Sequence, residues 1–138
     1  MRIEIVKYAN FQDEIIRIRH EVFVIGQNVP RDIEIDGKDP DCVQVLVWDD
    51  KDHPIATGRM QDDGKIGRMA VLESYRRQGI GRQMLDVFIK HARSNNYEKV
   101  YLNSQMQATP FYEQAGFESR GEIFFEAGIP HVRMVLDL

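Results

Sequence analysis

Residues 65–103 read KIGRMAVLESYRRQGIGRQMLDVFIKHARSNNYEKVYLN, and the order of patterns in this stretch decides the fold. Its two ends, residues 65–71 and 99–103, are predicted strands. Between them, apolar residues recur at helical spacing from Ile80 to Ala92, which predicts a helix that ends near Asn95. A strand, a helix and a strand in this order form a βαβ unit, so the two strands are expected to run parallel with a right-handed crossover.

The rest of the chain predicts antiparallel strands and further helices around this unit. Further strands are predicted at residues 2–8, at 42–48 and 55–61 as a hairpin, at 117–125 with a break at Gly121, and at 131–138. Helices are predicted at residues 11–24 and 107–115, and residues 26–41 are predicted to form a loop with at most a short helical turn. The expected fold class is α/β of the α+β type, with a mixed, mainly antiparallel sheet of six to seven strands and helices on both faces.

Composition limits the classes of function. A chain of 138 residues with 43% hydrophobic and 29% charged residues predicts one globular domain, residues 1–138. A net charge of −4 gives no global attraction to nucleic acid or membranes, so neither is an expected partner. The single cysteine, Cys42, excludes an internal disulfide and favours the cytoplasm. We see no export signal, membrane span or metal-ligand spacing, so no metal is expected.

The motif RRQGIGR, residues 76–82, combines glycines and cations at the predicted start of the helix. Backbone N–H groups are unpaired at a helix N-terminus, and glycine lets a phosphate approach them closely. The motif therefore predicts an anion site, and a basic turn with permissive glycines is the alternative. Arg82 and Gln83 stand where a P-loop needs lysine and a hydroxyl residue, and Met84 stands where a dinucleotide fingerprint needs its third glycine.

Two blocks carry a resemblance to a known family. Residues 67–81, GRMAVLESYRRQGIG, resemble the acetyl-CoA site of the GNAT superfamily of N-acetyltransferases, with its [QR]-x-x-G-x-[GA] signature on Arg76, Gly79 and Gly81. Residues 108–117, ATPFYEQAGF, resemble the family's second block, A-x-x-[FL]-Y-x-x-x-G-F. The segments VFV at 22–24, QNVP at 27–30 and EAGIPH at 126–131 are similar to a small bacterial subgroup.

The resemblance implies that acetyl-CoA is the co-substrate and that a primary amine of a small molecule or protein is the acceptor. It implies that strand 65–71 parts from strand 99–103 to form a V-shaped slot, in which the first strand pairs with the pantetheine arm. The amides of residues 77–82 would receive the pyrophosphate. The implied cofactor-binding residues are Met69, Ala70, Val71, Arg76, Arg77, Gln78, Gly79, Ile80, Gly81, Arg82, Gln105, Phe111 and Tyr112.

Acetyl transfer to an amine needs a neutral nucleophile, a donor to the developing oxyanion and a proton for the thiolate. The resemblance implies a backbone N–H near Ala70 or Val71 as the donor, and Tyr112 beside the sulfur. A core tyrosine is the alternative for Tyr112. The candidate bases are Glu34, Glu73 and His131, although a lone histidine is more often structural. The acids of residues 30–39 are candidates for binding a cationic substrate, but for most of them the expected interpretation is a solvated charged loop.

This chain departs from the family pattern at two positions. Gln105 stands where many members have asparagine, and Gly26 stands where the subgroup often has glutamate. The second departure removes a carboxylate that could bind the substrate or act as base. A non-catalytic acyl-CoA-binding or regulatory module therefore stays open as an alternative, and so does a homodimer formed through the sheet edges. An RNA phosphate binder is disfavoured by the acidic pI of about 5.5.

Overall fold

The computed structural model describes the backbone of residues 1–138 and the side chains of all of them except residues 32 and 33. Its strands are β1 (Arg2–Val6), β2 (Val43–Trp48), β3 (Pro54–Met60), β4 (Ile66–Val71), β5 (Lys99–Gln105), β6 (Glu118–Glu126) and β7 (Ile129–Asp137). Its α-helices are α1 (Tyr8–Arg19), α2 (Arg31–Glu34), α3 (Ile80–Ser94) and α4 (Thr109–Gln114). No helix of the described residues is long and apolar enough to cross a bilayer.

The strands form two sheets. The first has the antiparallel order β1-β2-β3-β4, and the second has the antiparallel order β5-β7-β6. The central strand β2, VQVLVW, is apolar on both faces because helices cover both sides of the first sheet. The predicted hairpin of β2 and β3 and the mixed, mainly antiparallel architecture are confirmed.

The helix α1 covers one face of the first sheet. Ile15, Ile18 and Val22 pack there against Leu46 and Trp48. The helix was predicted from residue 11 but begins at Tyr8, which alternation alone assigns to the preceding strand. A non-helical residue, Phe11, kinks it near its start, and the helix continues as a π-helix over His20–Ile25.

The helix α3 covers the opposite face and joins the two sheets. Its apolar stripe, which includes Met84, Leu85 and Phe88, packs in one core cluster with Val45 of β2 and Val100 of β5. The spacing of apolar residues in the sequence predicts this stripe correctly, since the six buried residues of α3 are those with helical periodicity.

The outer strand β6 is interrupted where the sequence predicts a break. Its register with β7 shifts between Arg120 and Phe124, and Gly121 has a φ of +87°. Such a bulge bends the strand locally. The hairpin then turns at Ala127 and Gly128, both in the left-handed region, so that β7 returns between β5 and β6.

The parallel strands β4 and β5 meet at one end only. An isolated parallel bridge joins Lys65 to Tyr101, and the Tyr101 N–H donates to the Gly64 carbonyl at 3.0 Å. Gly64 has a φ of +94°, and a Cβ there would lie 2.5 Å from the Lys99 carbonyl oxygen, so the close approach requires glycine. Beyond this point the two strands belong to different sheets, and the predicted splayed pair is confirmed.

Candidate active site

A slot opens between β4 and β5 toward their C-terminal ends. There β4 stays paired with β3 and β5 stays paired with β7, so each strand turns one edge toward the gap. An extended ligand can add to such an edge through main-chain hydrogen bonds. The slot therefore has the shape that the family resemblance implies for a pantetheine arm.

The backbone of Val71 points into this slot. The next residue, Leu72, donates its N–H to the Ile55 carbonyl of β3 at 3.0 Å. Successive residues in an extended strand turn their polar backbone groups to opposite sides, so the N–H and C=O of Val71 face away from β3. The Val71 carbonyl accepts a hydrogen bond from Arg76 Nε at 3.0 Å, which ties the cationic loop to the edge of the slot.

A β-bulge lies just before Val71. Arg68 and Met69 together stand opposite Gly58 of β3, and Arg68 has a φ of +49°. A bulge increases the local twist and bends the strand that carries it. The bend falls where β4 leaves β5, so it contributes to the opening of the slot.

The loop before α3 has the backbone of an anion site. Gly79 has a φ of +79° and forms the N-cap without a side-chain hydrogen bond. A Cβ on Gly79 would meet nothing within 4 Å, so the left-handed backbone explains the glycine and the space beside it is open. The helix that follows has 15 residues, and its first N–H groups present a partial positive charge to this space.

A cavity of about 270 Å³ surrounds this helix start. Its lining residues are Val71, Tyr75, Arg76, Arg77, Gly79, Ile80, Gly81, Arg82 and Phe111. Eight of these nine are among the predicted cofactor residues. Arg82 also forms an exposed ion pair with Asp86 at 3.0 Å, within the same helix. Cations and backbone N–H groups thus converge on one concave surface, as binding of a diphosphate requires.

The helix α4 brings aromatic rings to this region. Phe111 lines the cavity and is 38% exposed, and its ring meets the ring of Tyr112 edge-on with centroids 5.0 Å apart. Tyr112 also packs edge-on against Phe117, at 6.0 Å. Burial raises the pKa of the Tyr112 hydroxyl, which keeps it protonated and able to donate a hydrogen bond.

The other predicted cofactor residues lie along the two strands or in the loop. Met69 and Ala70 belong to β4, and Gln78 belongs to the exposed loop before α3. Gln105 ends β5 at the open end of the slot. Its side-chain oxygen accepts a hydrogen bond from Gln107 Nε2 at 2.6 Å, so part of the amide is already used within the protein.

The candidate base His131 lies on β7, the strand that pairs with β5. It stands in register with Gln105 and is 7% exposed. Its ring stacks on Phe124 of β6, with the planes 24° apart. Glu73 is exposed in a 3-10 turn that follows β4.

The structure does not place Glu34 with these groups. Its carboxylate is 3% exposed and forms an ion pair with Arg19 Nε, with Arg68 Nε 3.8 Å away. A carboxylate that is buried and already paired with a guanidinium group is not free to contact an acceptor amine. We therefore do not propose Glu34 as the base.

Glu34 belongs to a charged cluster formed by Arg19, Glu34, Asp36, Asp39 and Arg59. Asp39 lies at its centre, 2.6 Å from Arg19 Nη1 and 3.1 Å from Arg59 Nη1. The interpretation of this segment as a solvated loop is thus wrong for Glu34 and Asp39, both of which are buried. Periodicity missed them because their partners, Arg19 and Arg59, are distant in sequence.

Sequence reasoning also missed two polar residues beside His131. Asn103 Nδ2 donates to Glu126 Oε1 at 3.0 Å, and Glu126 Oε2 lies 3.8 Å from His131 Nε2. Asn103 could have been identified from the sequence, because residues 103 and 105 of β5 lie on the same face of the strand as alternate residues do. Glu126 had no comparable signal, since it meets this face only after the hairpin has folded.

A larger cavity, of about 530 Å³, lies between β1 and the second half of α3. It is lined by Glu4, Ile5, Val87, Lys90, His91 and Ser94. This lining contains no helix start, and its charged residues, Glu4 and Lys90, have opposite charges. It therefore does not fit a diphosphate. Among the described side chains, no group of three or more His, Cys, Asp and Glu residues is placed to hold a metal ion.

Comparison with known proteins identifies the family. The family model described as "Acetyltransferase (GNAT) domain" matches residues 29–138. The "Uncharacterized N-acetyltransferase YjcF" of Bacillus subtilis strain 168 is 36% identical over 141 residues, which cover 99% of this chain and 100% of that protein. Protein ElaA of Escherichia coli K12 is 32% identical, over 90% of this chain and 86% of ElaA.

Solved structures show the same fold. A crystal structure of an acyl-CoA N-acyltransferase from Pseudomonas aeruginosa superposes with a TM-score of 0.87 at 28% identity, covering 97% of both chains. That of Escherichia coli ElaA gives a TM-score of 0.85 at 28% identity, again over 97% of both chains. By its sequence, its splayed strands and its glycine-rich helix start, the chain belongs to the GNAT acetyltransferase family.

Proposed function

We propose that the protein transfers the acetyl group of acetyl-CoA directly to a primary amine of a small molecule or a protein. One observation carries the proposal: Val71, which ends β4 at the edge of the slot, also lines the cavity at the start of α3. An extended thioester arm and a diphosphate require two such sites next to each other.

We propose too that residues 1–138 act as one domain in the cytoplasm, since the single cysteine favours a reducing compartment.

The residues at the start of α3 fit a diphosphate. A Cβ would occupy the open space at Gly79, and one at Gly81 would make only ordinary contact with Phe111 Cζ, at 3.7 Å. In this site the N–H groups of residues 79–82 would donate to phosphate oxygens, and Arg76 and Arg77 would add charge. Bound acetyl-CoA would supply the acetyl thioester.

Two groups of the chain serve the transfer itself. The N–H of Val71 faces the slot, where it would donate to the carbonyl oxygen of the acetyl group as that oxygen gains charge. Tyr112 keeps its hydroxyl proton because burial raises its pKa, so it would donate a hydrogen bond to the departing sulfur. Both groups are held by secondary structure before any ligand binds.

Replacing Tyr112 by phenylalanine, Tyr112→Phe, is expected to lower kcat about tenfold, which is the loss of about 1.4 kcal/mol from one hydrogen bond to a charged group. The ring packing with Phe111 and Phe117 is retained, so the affinity for acetyl-CoA should stay unchanged. Steady-state kinetics and calorimetry on the same variant separate the two effects. An unchanged kcat would assign Tyr112 a packing role only.

The experiment that tests the proposal combines binding with turnover. Isothermal titration of the protein with acetyl-CoA should saturate, and incubation with a panel of primary amines should release free thiol together with an acetylated amine, detected by mass spectrometry. No binding at millimolar acetyl-CoA would overturn the proposal. Saturable binding without turnover of any amine would instead favour the non-catalytic acyl-CoA module.

A further inference from the structure

The facing pair Glu126 and His131 lies beside the slot, across the β6–β7 hairpin. We propose that Glu126 Oε2 and His131 Nε2 together receive the amino group of the acceptor, and that Asn103 positions Glu126. This inference rests on the proposed function, because it assigns the amine site of that reaction. Three observations support it: the hydrogen bonds of the imidazole, the gap between the two side chains, and their place in the sheet.

The imidazole of His131 has a defined tautomer. Its Nδ1 lies 2.7 Å from the Ile129 carbonyl oxygen. A carbonyl oxygen only accepts hydrogen bonds, so Nδ1 must carry the proton in this contact. The neutral ring therefore presents a lone pair on Nε2, on the side of Glu126. A histidine held in this way is prepared to accept a proton at Nε2.

The gap between the two side chains suits an amine. Nε2 and Glu126 Oε2 are 3.8 Å apart, which is too far for a direct hydrogen bond but lets one nitrogen donate to both atoms. Two acceptors that face each other with a lone pair and a negative charge have no attraction for one another in the neutral-ring state. A group with two or more N–H bonds, such as an ammonium, can donate one hydrogen bond to each of these two acceptors.

Glu126 is oriented although it is half-exposed. The hydrogen bond from Asn103 Nδ2, at 3.0 Å, fixes its Oε1 and leaves Oε2 toward His131. The imidazole is fixed on its other face by Phe124. The exposed carboxylate and the buried ring thus form a site that an acceptor can reach from solvent.

His131 lies one strand from the slot, and the side chain of Glu126, on β6, reaches Asn103 of β5, the strand that borders the slot. His131 is in register with Gln105 at the open end of β5, and neighbouring strands are about 4.8 Å apart. The nearest cation along β7, Arg133, stacks over the ring of Tyr101 at 4.9 Å. From the neighbouring strand β6, the carboxylate of Glu126 faces His131, and its negative charge attracts a cationic acceptor.

The protons balance in this arrangement. The bound ammonium gives one proton to Nε2 and becomes an amine, and its lone pair forms the C–N bond to the acetyl carbon while the C–S bond breaks. The nitrogen then loses a second proton, which ends on the departing sulfur. The imidazolium returns its proton to water, so the net reaction releases one proton for each ammonium acetylated.

The first test is spectroscopic and needs no acceptor. In protein labelled with ¹⁵N-histidine, the long-range ¹H–¹⁵N spectrum of neutral His131 should show the proton on Nδ1, with assignment by comparison with His131→Gln. Finding the proton on Nε2 would overturn the inference, because the lone pair would then be absent from the side of Glu126. Calorimetry with acetyl-CoA on the same sample reports on the proposed function independently.

The second test uses the panel amine with the highest kcat/KM. Glu126→Gln should raise the KM for the amine about ten- to a hundredfold, which corresponds to one lost hydrogen bond to a charged group. The dissociation constant of acetyl-CoA should not change. The matched control is Glu122→Gln, also an exposed glutamate of β6, which should leave both constants unchanged. An unchanged KM in Glu126→Gln would overturn the inference.

Asn103 is tested as a positioning residue through Glu126. Asn103→Ala should raise the amine KM in the wild-type background but have no further effect in the Glu126→Gln background, because it acts only by orienting that carboxylate. Additive effects would overturn this role. If the protein binds acetyl-CoA but acetylates no panel amine, the proposed function fails, and the amine site fails with it, whatever the tautomer of His131.

Discussion

Replacing Gly79 by valine, Gly79→Val, is expected to weaken acetyl-CoA binding at least about a hundredfold, or about 2.7 kcal/mol, while the protein stays folded. The φ of +79° is strained for any residue with a Cβ, and the new side chain would occupy the open space beside the start of α3. Backbone hydrogen bonds to a charged ligand are each worth about 1.5 to 3 kcal/mol, so losing two suffices. Isothermal titration with acetyl-CoA measures the effect.

The control for this prediction is Gly121→Val, in the bulge of β6. Gly121 has a φ of +87°, and a Cβ there also meets nothing within 4 Å. Both variants should therefore lose a similar free energy of unfolding, about 1 to 2 kcal/mol, from the left-handed backbone. Only Gly79→Val should lose affinity. A Gly79→Val protein that binds as tightly as Gly121→Val would contradict an anion site at the start of α3.

Removing the central carboxylate of the charged cluster, Asp39→Ala, is expected to lower the free energy of unfolding by about 3 to 5 kcal/mol. Asp39 accepts hydrogen bonds from Arg19 and Arg59, both of which are almost fully buried. Its loss removes the carboxylate that both guanidinium groups share, so each of them loses a charged hydrogen-bond partner in the interior. Urea denaturation followed by circular dichroism measures the change.

The exposed pair of Arg82 and Asp86 provides the comparison. Its atoms are 3.0 Å apart, but the two side chains are 42% and 56% exposed. Asp86→Ala should therefore cost less than about 1 kcal/mol. Equal losses in Asp39→Ala and Asp86→Ala would show that burial does not strengthen the charged cluster.

The same cluster should make stability depend on pH in acid. Burial raises the pKa of Asp39, but hydrogen bonds from Arg19 and Arg59 outweigh it, and the net pKa is lowered. The hydrogen bond from Arg59 lowers the pKa of Asp36 as well. A carboxyl with a lowered folded-state pKa stabilises the protein above its unfolded pKa, about 4, and this stabilisation is lost as the pH falls further. The difference between wild type and Asp39→Asn should therefore shrink below about pH 4.

The sequence predicts best where a residue acts through its nearest neighbours along the chain. The stripe of α3, the β-branched residues of β2 and the glycines of residues 76–82 are local patterns. The fold and the cofactor loop therefore follow from such patterns and from the two family blocks. The bulge at Gly121 could be located for the same reason.

Contacts between distant segments could not be predicted in this way. Arg19 of α1 meets Asp39, 20 residues later, only because the segment after α2 folds back over the first sheet. The pair of Asn103 and Glu126 spans 23 residues and depends on the register of β6 against β7. No period in a single sequence records either pairing, so the sequence offers Glu34 as one of three candidate bases and does not indicate Glu126.

The junction at Gly64 and Tyr101 has a thermodynamic consequence. Beyond it, the facing edges of β4 and β5 carry main-chain groups that no strand-to-strand ladder pairs. Under the proposed function, the co-substrate becomes a transient eighth strand that completes the ladder from one half of the protein to the other. Bound acetyl-CoA would therefore stabilise the folded protein against unfolding, by a free energy that grows with the acetyl-CoA concentration.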